Sequence, residues 1–267
     1  MPFAQIPAAL VLLGACALVF GGLARVFPCN PEHPAFVSKA IGADLVYCLF
    51  GGLYAALTPM LAAALAALPW RVEPPDLTLG FVARQPLWLQ FALFLIVTDF
   101  AQYWLHRLFH GRRLWPFHAI HHGAPQVNWT TTFRVHPVNY LAVSLLLALL
   151  SRLLGVSAVA VLLAAPVFFF SGALTHANLD WTFGPLRTVI ASPVFHRWHH
   201  ADEAGCRDRN FAPMFPLWDV LFGTFHMPSG RRPAAFGVEG LPRGLAAQLA
   251  YPFRPKRDGF GANRSEP

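Results

Sequence analysis

Residues 137–175 run for 39 residues with a single charge, Arg152. About 20 apolar residues cross a bilayer as a helix, so this run is too long for one span. It reads as two helices that turn near residues 151–157. Three more stretches have the same character: residues 6–24 carry no charge, 41–68 only Asp44, and 87–105 only Asp99. A backbone placed in hydrocarbon must satisfy its own hydrogen bonds, which leaves helices as the way to accommodate such runs. The expected fold is therefore all-α, an integral membrane helical bundle of about four to five spans. Composition agrees. Of 267 residues 55% are hydrophobic and 12% charged, with a mean hydropathy of +0.46, whereas soluble domains average about 25% charged.

The remaining segments divide the chain. Residues 70–86 are a Pro-rich, mixed-charge connector, and the tail from about Arg254 has the composition of a disordered terminus. The expected organisation is a transmembrane region and connector over 1–95, a catalytic domain over 96–253 and a disordered tail over 254–267. No Lys or Arg precedes the first apolar run, which argues against a secretory signal peptide. The net charge is +7 and the pI about 9.7. No nucleic-acid-binding motif accompanies this excess, and no nucleic-acid partner is expected. In a membrane chain, basic residues mark cytoplasmic loops. Arg107, Arg112, Arg113 and Arg134 lie in one such segment. Arg197, Arg207, Arg209, Arg231, Arg232, Arg243, Arg254, Lys256 and Arg257 lie in the other. The hairpin over 137–175 returns the chain to the side it left, so both segments face the cytoplasm. Five spans with the N-terminus outside fit this parity.

Within those two segments the histidines concentrate. His106, His110, His118, His121 and His122 fall within 17 residues, and His196, His199 and His200 repeat the His-x-x-His-His spacing. The chain's overall histidine content predicts about one in a window of the first length. Residues three and four apart share a helix face, so each cluster is expected to aim its rings into one narrow sector. Crowded imidazoles repel when protonated, and a bound cation resolves this by requiring the neutral form. Eight such nitrogens exceed the needs of one ion, and two ions with room for water or dioxygen fit better. Imidazole suits iron, zinc, copper and nickel alike. The four cysteines, Cys16, Cys29, Cys48 and Cys206, show no Cys-x-x-Cys spacing and read as packed thiols.

At these residues the chain resembles the fatty acid hydroxylase superfamily, which includes sterol desaturases, sterol methyl oxidases and alkylglycerol monooxygenase. The resemblance covers roughly residues 99–226. Asp99-Phe-Ala-Gln-Tyr103-Trp104-Leu-His106-Arg107-Leu-Phe-His110 is similar to the first histidine box, and His118-Ala-Ile-His121-His122 to the second. Asn128-Trp129 through Arg134-Val-His136-Pro137 is similar to the connecting segment. Ser192-Pro193-Val-Phe-His196-Arg197-Trp-His199-His200 is similar to the third box, followed by Asp208-Arg-Asn210-Phe211 and Trp218-Asp219-Val-Leu-Phe222-Gly223-Thr224. Where a glycine commonly follows the Asn-aromatic pair, Ala212 stands. The first 95 residues carry no family signature.

The resemblance implies a di-iron oxygenase of membrane lipids with a histidine-rich helical cap on the cytoplasmic side. It adds His176 to the eight box histidines as a ligand, and places His136 as a ligand or as a group supporting one. Asn128, Asp208 and Asn210 join the possible ligands or supporting groups. A ligating imidazole usually donates its other N–H to a carboxylate or carbonyl, and Asp202, Asp208 and Asp219 are candidates for that task. Asp99, costly in an apolar helix, is expected to orient Tyr103 one turn on. His33 and His226 lie outside the boxes. The implied reaction is O2-dependent hydroxylation of a lipid C–H bond, with desaturation as the close alternative. No Gly-x-Gly-x-x-Gly fingerprint follows a strand, so electrons come from a separate ferredoxin, cytochrome or reductase. A metal transporter is the rival from another class. It would put its ligands near the bilayer midplane rather than at span ends.

Overall fold

The computed structural model describes residues 5–36, 41–67, 79–203 and 205–254. The expected disordered tail, apart from Arg254, and most of the Pro-rich connector lie outside these. The helices follow in order as α1 (Gln5–Val26), α2 (Ile41–Ala67), α3 (Leu79–Ala83), α4 (Leu87–Phe109), α5 (Trp115–His122), α6 (Pro137–Leu154), α7 (Ala158–His176), α8 (Pro193–His200), α9 (Leu217–Leu221) and α10 (Leu245–Ala250). Short 3-10 turns occupy Trp129–Phe133, Gly184–Thr188 and Tyr251–Phe253. Among the described residues there is no named strand, only two isolated bridges, Pro28 with Leu179 and Ala201 with Phe236.

Among the described residues three helices, α4, α6 and α7, are long and apolar enough to cross a membrane. Two shorter apolar stretches, Leu13–Val26 and Ile41–Leu53, belong to α1 and α2. The three long helices are patterned inside out. On α6, Leu141, Leu145, Leu149 and Leu153 form an exposed stripe at four-residue spacing, while Asn139, Ser144 and Ala148 are buried. On α7 the buried positions include Ala160, Ala164 and Ala173, and the exposed ones include Val159, Leu162, Leu163 and Phe170. On α4, Gln90, Thr98, Asp99 and Tyr103 turn inward, and Trp88, Ile96, Phe100, Trp104 and Leu108 turn outward. In lipid no hydrophobic effect drives helices together, and small and polar residues let them approach closely; Phe94 and Leu95 of α4 also pack with Ala164 of α7.

The expected hairpin is present. Gly155, at φ 64, ends α6, and Ser157 caps α7 by accepting from the Ala160 N–H at 3.3 Å. A left-handed residue suits this turn, and glycine adopts it without the penalty of a Cβ. The turn rests on the start of α4, where the Ser157 N–H donates to Gln90 Oε1 at 2.8 Å. From that end α4 climbs 23 residues, about 34 Å, and α7 climbs 19. Both therefore deliver their C-terminal histidines to the same opposite end.

The N-terminal helices are part of the same body. Cys16, Phe20 and Ala24 of α1 share a packed cluster with Trp129, Ala173, Ala177 and Leu179. Helix α2 lies along α6, with Gly51 so close to Tyr140 that a Cβ there would stand 2.8 Å from the phenol oxygen. Beyond α1, the Asn30 N–H donates to Asn178 Oδ1 and Asn178 Nδ2 to Asn30 O, both at 2.9 Å, which stitches the α1–α2 loop to the histidine end.

Candidate metal centre

Nine imidazoles gather where α4, α5, α7 and α8 meet. They form two groups. His106, His110, His118, His122 and His199 make one, and His121, His176, His196 and His200 the other. Within each group the candidate ligand atoms lie within 4.8 Å of one another. All eight box histidines are brought together, and His176 joins them.

The boxes do not map onto the groups. Helix α5 sends His118 and His122 to the group of five and His121 to the group of four. Helix α8 sends His196 and His200 to the group of four and His199 to the group of five. The expectation of one narrow sector per box is thus corrected. With about 100° per residue, positions i and i+4 point about 40° apart, while i+3 points about 100° away from i+4. That spread lets one helix serve two neighbouring centres.

Helix α8 is held firmly at its start. Ser192 caps α8, its hydroxyl accepting the Phe195 N–H at 3.1 Å, and Pro193 begins the first turn. Behind α8, Arg197 is wholly buried. It donates to Val127 O at 2.7 Å, bonds Asn30 Oδ1, and stands 4.9 Å from the Phe236 ring centre. Sequence reasoning missed this clamp, although an arginine inside a histidine box was visible.

Hydrogen bonds set the tautomers. His106 Nδ1 donates to Phe211 O at 2.7 Å, His121 Nδ1 to Arg134 O at 3.2 Å, His176 Nδ1 to Gly172 O at 2.7 Å and His199 Nδ1 to Arg209 O at 2.7 Å. A carbonyl can only accept, so in these four rings Nδ1 carries the proton and Nε2 is a bare lone pair. His110 Nδ1 meets Asp208 Oδ1 at 3.0 Å. His118 Nδ1 stands 3.3 Å from Asn139 Nδ2. A carbonyl or carboxylate partner opposite the ligating nitrogen is what a metal-bound imidazole usually has.

The Nε2 atoms then face each other. His121 and His176 place Nε2 atoms 3.1 Å apart, and His106 Nε2 is 3.0 Å from His118 Nε2. His176 and His196 approach at 3.0 Å, His176 and His200 at 3.1 Å, and His196 and His200 at 3.2 Å. Nδ1 carries the proton in both His121 and His176, so their two Nε2 lone pairs at 3.1 Å repel unless something positive lies between them. Four imidazoles around one ion at about 2.0–2.1 Å would stand about 3.3 Å apart in a tetrahedron, so the group of four has the size for a single ion. In the group of five, His122 Nε2 and His199 Nε2 are buried without any hydrogen bond. The residues present thus fit two metal ions.

Electrostatics point the same way. Burial holds the imidazoles of His118, His121, His122, His196, His199 and His200 well below the usual 6.5, and neighbouring rings of the cluster lower them further. They are neutral at physiological pH, which is the ligating form.

Several residues expected near the ligands have other tasks. His136 caps α6: its Nδ1 accepts the Val138 N–H at 3.0 Å and its Nε2 faces Leu249 O at 3.3 Å, and it belongs to neither group. Asn128 caps the 3-10 turn, accepting from Thr130 N at 2.9 Å. Asn210, at φ 56, donates to Phe195 O at 2.8 Å and His226 O at 2.7 Å, tying α8 to the following loop. Asp219 accepts from Phe211 N at 2.8 Å and Ala212 N at 2.9 Å, and so fixes the carbonyl that takes the His106 proton. Asp202 pairs with Arg207 on the surface. Asp99 does not orient Tyr103. Its carboxylate accepts from Met214, Phe215 and Trp218, while the Tyr103 hydroxyl meets Thr224 Oγ1 at 2.9 Å. His33 and His226 lie in neither group. An unforeseen contributor is Asp44 of α2, which takes Arg134 Nε at 2.9 Å and Thr130 Oγ1 at 2.7 Å, both buried. The Arg134 carbonyl is the one that orients His121. The signal was a lone carboxylate in an apolar helix.

Comparison with known proteins finds relatives of this chain. The fatty acid hydroxylase family profile matches residues 91–224. The ornithine lipid hydroxylase OlsE of Rhizobium tropici is 36% identical over 173 residues, 64% of this chain and 52% of that protein. The alkylglycerol monooxygenase of Homo sapiens is 30% identical over 139 residues, 52% of this chain and 31% of that protein. A very-long-chain aldehyde decarbonylase of Arabidopsis thaliana is 28% identical over 139 residues, 48% of this chain and 22% of that protein. The chain spans about half the length of the first relative and less of the others. No solved structure matches. With the profile spanning all three histidine boxes, this chain belongs to the fatty acid hydroxylase family.

Proposed function

We propose that the protein is a membrane-bound di-iron oxygenase that hydroxylates a C–H bond of a membrane lipid, using O2 and two electrons from a separate donor. The observation that carries this reading is the pair of adjoining imidazole groups, five and four strong, with bare Nε2 atoms turned inward. Two irons held there supply the activation of O2 that an unactivated C–H bond requires. His106, His110, His118, His122 and His199 would hold one ion and His121, His176, His196 and His200 the other.

The chain's own residues do the rest. Phe211 O, Arg134 O, Gly172 O and Arg209 O keep the Nδ1 protons in place, so the ligating nitrogens need not reorient. Every candidate ligand except the half-buried His106 is buried, and the rings of Phe211 and Trp115 pack against the group of five, which excludes bulk water from a reactive site. The substrate is taken to be a lipid because the outward faces of α4, α6 and α7 are apolar. The names of two relatives, ornithine lipid hydroxylase and alkylglycerol monooxygenase, describe oxygen insertion. They favour hydroxylation over desaturation. The basic segments around the boxes support a cytoplasmic position for the centre. There a ferredoxin, cytochrome or reductase would deliver electrons.

The overall reaction balances as RH + O2 + 2 electrons + 2 protons giving ROH + H2O. The test is incubation of membranes holding the full chain with a polar lipid extract, a reduced ferredoxin and isotopically labelled dioxygen, read by mass spectrometry. A lipid gaining one labelled oxygen, absent with His200→Ala, is the expected result. A product that has lost two hydrogens without gaining oxygen would replace hydroxylation by desaturation.

A further inference from the structure

After Ala212 the chain leaves the histidine end and runs back alongside α4. Asp99 lies seven residues before His106 on α4, about 10 Å further down the helix axis. There its buried carboxylate accepts the Met214 N–H at 2.9 Å through one oxygen. Through the other it accepts the Phe215 N–H at 3.1 Å and Trp218 Nε1–H at 2.9 Å. Helix α9 follows, and the chain turns at Gly223, φ 71. It rejoins the lobe at Thr224, whose carbonyl accepts the Asn210 N–H at 3.0 Å.

The outward side of this excursion is apolar. Leu217, Val220, Leu221 and Phe222 are 45%, 45%, 61% and 39% exposed. They continue the outward stripe of α4. The Phe222 ring is 4.8 Å from Trp104, and the Trp218 ring is 5.0 Å from Phe100. The single ionisable side chain between 213 and 222, Asp219, points inward to Phe211 N, Ala212 N and Thr224. Pro213 and Pro216 contribute no N–H that would need a partner.

We propose that residues 213–222 form a re-entrant segment inserted into the hydrocarbon layer beside α4, covered by lipid acyl chains, with Asp99 as its built-in acceptor. The proposal rests on α4 being a membrane span. Non-helical backbone at membrane depth is tolerated only where its N–H groups are satisfied by protein. Asp99 satisfies two of them and the Trp218 indole. This also accounts for an ionisable group in an apolar helix, which is otherwise costly. Arg107, 5.4 Å from the Trp104 ring, marks the level at which a guanidinium reaches the headgroups. The segment brings acyl chains to within a few residues of Phe211, whose ring centre is 4.9 Å from that of His110.

The test uses the full chain, one copy per phosphatidylcholine nanodisc, doped with lipid carrying a photoactivatable diazirine in mid-acyl chain or, separately, in the headgroup. Peptide mapping by mass spectrometry reads the labelled residues. The acyl probe is expected to label 217–222 as strongly as the outward stripe of α4, and at least about tenfold more than the exposed loop 229–231. Labelling of 217–222 no higher than that loop, with α4 labelled, overturns the proposal, as does labelling by the headgroup probe alone. If α4 is also silent, the membrane reading beneath it fails too.

Discussion

The two imidazole groups sit side by side yet are built differently. The group of four is closed, with Nε2 atoms of His176, His196 and His200 all 3.0–3.2 Å from one another and His121 3.1 Å from His176. All four rings are buried, and two of them, His176 and His121, are oriented by the backbone carbonyls Gly172 O and Arg134 O. The group of five is looser. His122 Nε2 and His199 Nε2 make no hydrogen bond, and His110 is oriented by Asp208, whose side chain is 60% exposed. The first takes its orienting bonds from backbone carbonyls, the second from backbone carbonyls and from one exposed carboxylate. Substitutions can therefore separate them.

The largest effects come from the ligands. His200→Ala should empty the group of four and His199→Ala the group of five, each ending turnover. Loss of a partner outside the ligand shell costs about 10–100-fold in metal affinity or activity, and a ligand should cost at least that. Metal content per chain, measured on each variant, checks the assignment. Equal loss of both metals in both variants would mean that the groups act as one.

Acid should act on both groups together. The six rings held low by burial are neutral in the folded chain but titrate near 6.5 when unfolded. Between the folded and unfolded values the unfolded state binds more protons, so folding stability rises with pH there. The contribution is complete above about 6.5 and is lost as pH falls below it, by about 1.4 kcal/mol per unit for each ring. Thermal melts of metal-depleted protein from neutral to acid pH should show this slope; a flat profile would contradict burial of neutral rings.

Asp44→Asn sharpens the interior side of the contrast. It leaves the Arg134 guanidinium buried beside a neutral amide, and breaking a buried pair costs about 3–5 kcal/mol. The melting temperature should drop, with metal loss concentrated in the group of four, because Arg134 O orients His121. Asp208→Asn is the surface counterpart. It should weaken metal binding about tenfold to a hundredfold in the group of five alone, as read by competition with a chelator.

How far the sequence foretold this centre follows from the range of each interaction. The box histidines were legible because helical spacing is local, and the hairpin because its two apolar runs are contiguous. The division into two groups was not, since spacing gives angles around one helix and not where the second ion lies. Asp44 reaches Arg134 across 90 residues and Asn30 reaches Arg197 across 167. No local pattern announces such contacts. Nor does sequence reveal which backbone carbonyl will stand behind an imidazole. His136 misled because a histidine beside a proline at a helix entry serves equally as a cap. His136→Ala should accordingly have the smallest effect, about 1 kcal/mol of stability, with metal content unchanged.

The most direct measurement is quantitative metal analysis of the full chain, purified in detergent after expression with iron, together with the two alanine variants. Two irons per chain in the wild type, falling to one in His199→Ala and one in His200→Ala, is the result the two-centre structure predicts. A single tightly held ion, retained unchanged when either His199 or His200 is removed, would contradict it.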